Sequence, residues 1–233
     1  MVSLRSLSAL LLVACSLSHV TVTAAAPSPR SSCSPPSATR PVRQHTAIPT
    51  AALCHSSQGH CIRTAALAPS GANHQPWHFS LIGDPAMKAA IRAAAEAEER
   101  KFYDNAQHDE WLKALEPIGT GPEKPHLQIA LWLIVIFAER YGQFDDGTRY
   151  KIYYVTESVG IAAGYLISAL HTAGLACLTH TPNPMGFLTK ICRRPASNKP
   201  LMILAIGHPA ADATIPAAAK IKKPLDQVMT VFD

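Results

Sequence analysis

Acid is missing from the first third of this chain. Residues 1–83 hold no aspartate, glutamate or lysine, and their only bases are Arg5, Arg30, Arg40, Arg43 and Arg63. Asp84 is the first carboxylate. The whole chain has 21 Lys+Arg and 16 Asp+Glu, so residues 84–233 carry the other 16 bases and all 16 acids and balance to zero. The formal charge of +5 therefore belongs to the first third, and no basic face for nucleic acid is present. A disulfide rhythm is also missing. Cys15, Cys33, Cys54, Cys61, Cys177 and Cys192 are scattered over 233 residues, in a chain long enough to bury a core without such bridges. Neither GxGxxG nor a P-loop glycine pattern occurs, which removes the common dinucleotide and triphosphate cradles. With 48% hydrophobic residues, the chain is not a disordered one.

What is present begins with MVSLRSLSALLLVACSLSHVTVTAAAP. One Arg, an apolar run over 7–17 and small residues up to Ala26 follow the grammar of a signal peptide with a cut near 24–26. Two other readings stand beside it. Residues 6–26 carry no charged side chain and are just long enough for a membrane anchor. An acid-free leader bearing Arg and Ser also suits an organelle transit peptide. Residues 27–60 are rich in Pro and Ser and are expected to lack regular structure. A folded domain is expected over 61–233. The stretch CHSSQGHC (54–61) has Cys and His at both ends, but its spacing matches no common zinc site, and chance pairing is the better reading.

Within the domain, Asp84-Pro85 is an N-cap followed by Pro at the first helical position, and strong helix formers continue to about Tyr103. A shorter helix is expected at 109–115, ended by GTGPEKP (119–125). The apolar run 129–137 reads as a strand buried on both faces. Residues 153–175 suit a long helix, nearly uncharged in the middle, buried all round and closed by Gly174. A strand end at 176–181, a short helix at 184–194, a strand at 201–206 and an extended tail over 220–233 complete the pattern. The expected fold class is an α+β three-layer domain.

The stretch APSGANHQPW (68–77) packs turn formers and small residues into ten positions, which suits a loop whose backbone must approach something closely. AEAEERKFY (95–103), YYVTESVGIAAG (153–164), GLACLTHTPNPM (174–185), RRP (193–195) and KKPLDQ (222–227) follow it in order. This ordered set resembles the iodotyrosine deiodinases and their near relatives in the nitroreductase superfamily. The resemblance covers residues 61–233. It implies an FMN-dependent, intertwined homodimer of α+β fold with its flavin sites at the subunit interface. It further implies reductive dehalogenation of halotyrosines, with electrons drawn from NADPH through a reductase partner.

The resemblance also assigns roles. Ser70 contacts the FMN, and the backbone N–H of Ala72 faces the phenolate of the substrate. Glu99, Tyr103 and Lys124 sit on a lid and grip the amino-acid end. Glu99 and Tyr103 are four apart and share a helix face. A carboxylate suits the ammonium, while Lys124 and the Tyr103 hydroxyl suit the carboxylate. Thr181 matches a threonine whose hydroxyl donates to the flavin N5. Thr179 and His180 belong to the same flavin-side strand end, and His180 is given no acid–base role. Lys222 falls where relatives carry an arginine on the FMN phosphate, and keeps the charge without the bidentate fork.

The resemblance breaks before Cys61. Relatives hold the FMN phosphate with an arginine-rich motif, and the nearest equivalent is TRPVR (39–43), with Arg40 and Arg43 as candidates and Pro41 in place of a serine. Either the chain has diverged there, or a gene-assignment error has replaced true coding sequence. Two rival functions follow: a nitroreductase-like FMN enzyme acting on another aromatic, and a flavin-poor, non-catalytic relative.

Overall fold

The computed structural model describes residues 57–104, 109–209 and 213–232. The leader, the Pro/Ser-rich stretch up to residue 56, and Arg40 and Arg43 lie outside the described residues.

An apolar strand covered on both faces needs two helical layers, and this chain supplies them. Strands β1 (Trp77–Ile82), β2 (Trp132–Glu139), β5 (Ala176–His180) and β6 (Asn198–Gly207) form one sheet in the order β1-β2-β6-β5, every neighbouring pair antiparallel. β3 (Tyr141–Gln143) and β4 (Arg149–Lys151) form a separate hairpin. In β2, Ile134, Ile136 and Ala138 point to one face. There they meet Cys61 and Ala65 of α1 (Ser57–Ala66), and Val159, Ala163, Leu166 and Leu170 of α5 (Val155–Thr172). Leu133, Val135 and Phe137 point the other way. They pack with Ile91 and Ala95 of α2 (Pro85–Tyr103), Leu127 of α4 (His126–Ile129) and Leu188 of α6 (Gly186–Ile191). The period-2 alternation of one strand thus serves two cores. The expected three-layer α+β fold is what forms.

Local signals set several boundaries. The Asp84 carboxylate accepts the Met87 N–H at 2.9 Å, so α2 starts where its cap residues say. α3 (Asp109–Leu115) also falls where expected. Gly174, at φ 75°, ends α5. Its N–H reaches the His171 carbonyl and the Leu175 N–H reaches that of Leu170, a Schellman closure. In β6, Ile136 opposes Met202 and Phe137 opposes Pro200, leaving Leu201 as a bulge beside a proline that has no N–H to offer.

Four expectations need correction. Residues 57–60, expected to lack regular structure, already form the first turn of α1, so the fold begins before Cys61. The run 129–137 is not all strand. Residues His126–Ile129 close one helical turn, and β2 starts at Trp132. The Lys88 ammonium donates to the Ala130 carbonyl at 2.7 Å and so holds the end of that turn. α5 is not buried all round within one chain. Gly160, Ile161, Gly164, Tyr165 and Ser168 form an exposed stripe at helical spacing. The tail is not uniformly extended, since it starts on the last residue of α7 (Ala217–Lys220) and holds a 3₁₀ turn at Leu225–Gln227. In the CHSSQGHC stretch, Cys61 is buried in the α1–α5 core while His60 is exposed, so the two do not converge on one point. Among the described residues, no helix is long and apolar enough to cross a membrane.

Candidate active site

Two constellations stand out. The first lies between the C-terminal half of α2 and the segment from Gly119 to Lys124. The Lys124 ammonium lies 3.2 Å from a Glu99 carboxylate oxygen, and both side chains are only 3% exposed. The ammonium also donates to the Thr120 hydroxyl at 3.3 Å and sits 5.9 Å from the centroid of the Tyr103 ring. Three residues singled out from the sequence, with Lys124 21 positions beyond Tyr103, therefore meet as an acid, an amine and a phenol. The Tyr103 hydroxyl is buried and makes no well-formed hydrogen bond. Burial raises its pKa, partly offset by the nearby Thr120 hydroxyl.

Burial also raises the pKa of Glu99, against the pull of the Lys124 charge and hydrogen bond. Two histidines stand behind this pair. His180 lies at the end of β5 with Nε2 3.9 Å from Glu99, too far for a hydrogen bond. Its ring meets that of His126 edge-on, with centroids 5.6 Å apart and planes at 85°. Burial, then the positive Lys124, push His126 down to about 4 and His180 to about 3. Both are neutral imidazoles at pH 7, and each has a buried Nε2 without a partner. His180 thus turns its ring toward the Glu99 cluster.

The second constellation is the loop before β1. The Ser70 hydroxyl accepts the Gln75 N–H at 2.9 Å. The Gly71 N–H donates to the Ser158 hydroxyl at 3.3 Å, and that hydroxyl donates to the Tyr154 carbonyl at 2.6 Å. The loop is therefore tied to the first turn of α5. Ala72, Asn73 and Gln75 all have left-handed φ values, 48°, 54° and 49°. Such positions each cost on the order of 1 kcal/mol outside glycine and persist where the surroundings enforce them. Gly71 has no room for a side chain: a Cβ there would lie 2.9 Å from the Tyr154 ring and 3.0 Å from the Tyr153 carbonyl oxygen. Ala72 is exposed.

The two constellations are not joined within one chain. β1 and β5 are the opposite edges of the sheet, roughly 14 Å apart at the usual strand spacing. The loop precedes β1, whereas His180 ends β5 and Thr181 follows it. Thr179 is buried in β5, and the Thr181 hydroxyl is buried without a partner. That orphan is an observation in favour of a polar group arriving there from outside. Lys222 is exposed on the tail. A cavity of about 490 Å³ adjoins the first constellation. Its walls include Thr120, Lys124 and His126, His171 at the end of α5, Cys177 at the start of β5, and Ile215.

The sequence reading missed Glu96, which receives the Lys124 backbone N–H at 2.8 Å, and Ser158, which holds Gly71. Glu96 was visible only as one more acid in AEAEER.

The profile of the nitroreductase family matches residues 53–208. The chain belongs to the nitroreductase family. Within this family it is 51% identical over 155 residues to the iodotyrosine deiodinase of Haliscomenobacter hydrossis, covering 66% of this chain and 70% of that protein. It is 39% identical over 174 residues to the iodotyrosine deiodinase of Drosophila melanogaster, covering 74% of this chain and 60% of that protein. A solved structure of oxidized iodotyrosine deiodinase, bound to FMN and 3-iodo-L-tyrosine, superposes with a TM-score of 0.61 at 30% identity. It covers 76% of this chain and 86% of that one. The resemblance read from the six ordered motifs is borne out.

Proposed function

We propose that this nitroreductase-family chain is an FMN-dependent reductive dehalogenase of halotyrosines, converting iodotyrosine to tyrosine and iodide. The observation that carries the reading is the buried meeting of Glu99, Tyr103 and Lys124. A carboxylate, a phenol and an ammonium on one small surface complement the ammonium and carboxylate of a free amino acid. An apolar aromatic substrate gives no reason to bury such a pair, whose desolvation is costly. The named relatives and the iodotyrosine-bound neighbour support the same substrate class.

The unpartnered Thr181 hydroxyl, the Ser70 hydroxyl and the tight Gly71 turn fit a flavin, and FMN-bound neighbours of this fold support that cofactor. Thr179 and His180 complete the flavin-side strand end, with Lys222, Arg40 and Arg43 as the charges for its phosphate. When bound and reduced, FMN supplies the two electrons that, with a proton, replace the carbon–iodine bond by carbon–hydrogen and release iodide. The chain's own task is orientation. Glu99 takes the substrate ammonium. Lys124 and Tyr103 take its carboxylate. The Ala72 N–H holds the phenolate oxygen, and the closed segment keeps water out. NADPH, through a reductase partner, is the proposed electron source.

The site is proposed to be assembled in a homodimer. In its support, the two constellations lie on opposite sheet edges, and α5 carries an exposed apolar stripe. The tail also exposes Ile221, Leu225, Val228, Val231 and Phe232. Residues 6–26 are proposed to route or anchor the chain at a membrane. Glu99→Gln tests the central reading. It is expected to raise the KM for iodotyrosine at least tenfold, the loss of one charge-assisted contact, with FMN still bound. An unchanged KM refutes the grip.

A further inference from the structure

We infer that Glu96 is a positioning residue that sets Lys124 for recognition of the amino-acid end of the substrate. The inference rests on the grip described above. Glu96 lies one turn before Glu99 on α2, and its side chain is only 8% exposed. One carboxylate oxygen accepts the backbone N–H of Lys124 at 2.8 Å, across 28 residues. The same oxygen receives the Arg92 Nε at 2.7 Å, and the other receives Arg100 at 3.3 Å. Glu123, next to Lys124, reaches Arg100 at 3.1 Å and Arg92 at 4.0 Å. Burial pushes the Glu96 carboxyl upward. The Arg92 and Lys124 N–H bonds and the two guanidinium charges outweigh it and leave the group below its ordinary value.

Lys124 is therefore held by α2 at both ends. Glu96 fixes its backbone, and Glu99 meets its ammonium. The segment before it, Gly119 to Glu123, contains no buried residue to anchor it by packing. Without Glu96, the ammonium loses its fixed origin and the carboxylate of the substrate loses a placed partner. The ring end of the substrate does not depend on this contact. Glu96 thus acts on discrimination between an amino acid and a bare phenol, and not on the chemistry.

The test uses the FMN-loaded full chain and two ligands, 3-iodotyrosine and 2-iodophenol, which shares the ring but lacks the amino-acid end. Glu96→Met matches the volume and removes the acceptor. It is expected to weaken iodotyrosine binding about tenfold, the loss of one charge-assisted hydrogen bond, and to leave iodophenol binding unchanged. Glu96→Gln keeps an acceptor oxygen and is expected to retain most of the preference. Hydrogen exchange gives a reading that needs no variant: in the unaltered protein the Lys124 amide exchanges far more slowly than an unstructured one. Equal loss for both ligands, no loss for either, equal loss in the Gln and Met forms, or a fast Lys124 amide overturns the inference. If the unaltered protein itself fails to prefer iodotyrosine, the underlying grip falls along with it. A preference that survives in Glu96→Met leaves the grip standing and removes only Glu96.

Discussion

Replacing Lys124 by methionine removes the cation from a buried pair and leaves Glu99 in place. Ionised Glu99 would then be a buried charge 3.9 Å from a neutral imidazole. Buried charges stranded in this way cost about 3–5 kcal/mol. Glu99 has a cheaper alternative, which is to take a proton. At pH 7 that costs at most the gap down to the unfolded value near 4.3, about 2.7 units or roughly 3.7 kcal/mol. The unaltered protein already tolerates part of this strain, because its Glu99 pKa is raised by burial. The expected loss is therefore about 2–3 kcal/mol, a fall in Tm of about 5–10 °C for a domain of this size. At pH 5 the ceiling drops to about 1 kcal/mol, since only about 0.7 units separate solvent from the unfolded value. The sign follows from linkage. A carboxyl whose folded pKa is raised favours the folded state at low pH and loses that contribution as pH rises through the folded value. Removing Lys124 also relieves His126 and His180, which its charge holds down, and this acts in the same direction. Circular-dichroism melts at pH 7 and pH 5 provide the assay. Adding Glu99→Gln to Lys124→Met should recover more than half of the loss at pH 7. An unchanged Tm at pH 7, or an equal fall at both pH values, refutes the reasoning.

Other outcomes follow from the same geometry. Gly71→Ala drives a Cβ toward the Tyr153 carbonyl oxygen, which is backbone and cannot swing aside. About 1–3 kcal/mol of local strain should weaken FMN binding at least tenfold in a fluorescence titration while the far-ultraviolet circular dichroism is retained. His126 and His180 are held well below their ordinary range, so their contribution to stability is complete above about pH 6.5 and is lost as pH falls toward about 4 and 3. His180→Leu should flatten the drop in urea midpoint between pH 7 and pH 5, and an unchanged slope counts against the neutral-imidazole assignment.

Where a local signal decided the structure, the sequence could be read. Asp84-Pro85 placed the start of α2, and the i,i+4 pair Glu99 and Tyr103 shares a face as spacing requires. Where a distant group decided, it could not. Ile129 to Leu131 look like strand sequence, but Ile129 ends a helical turn, and Lys88, 42 residues before Ala130, holds the carbonyl of the residue that caps it. Glu96 differs from its neighbouring acids only because a backbone N–H 28 residues later points at it. The β3–β4 hairpin was legible and missed: Asp146-Gly147 sits between aromatic strands, and the Asp146 carboxylate accepts the Thr148 N–H at 2.8 Å. The exposed stripe of α5 was read as buried because its residues are apolar. Composition reports that residues are apolar, not whether the fold of the chain covers them.

The segment over Lys124 is fastened by charge and not by grease. Gly119 to Glu123 contributes nothing to either apolar core, and the first buried apolar anchor after it is Leu127. Its outer tie, Glu123 to Arg100, is solvent-exposed and weakens as dissolved ions shorten the reach of the field, whereas the bond from the Lys124 N–H to Glu96 beneath it is buried. The closure therefore has two strengths, a salt-soluble rim over a salt-resistant root. Ionic strength can loosen the cover of the pocket without disturbing the lysine at its base.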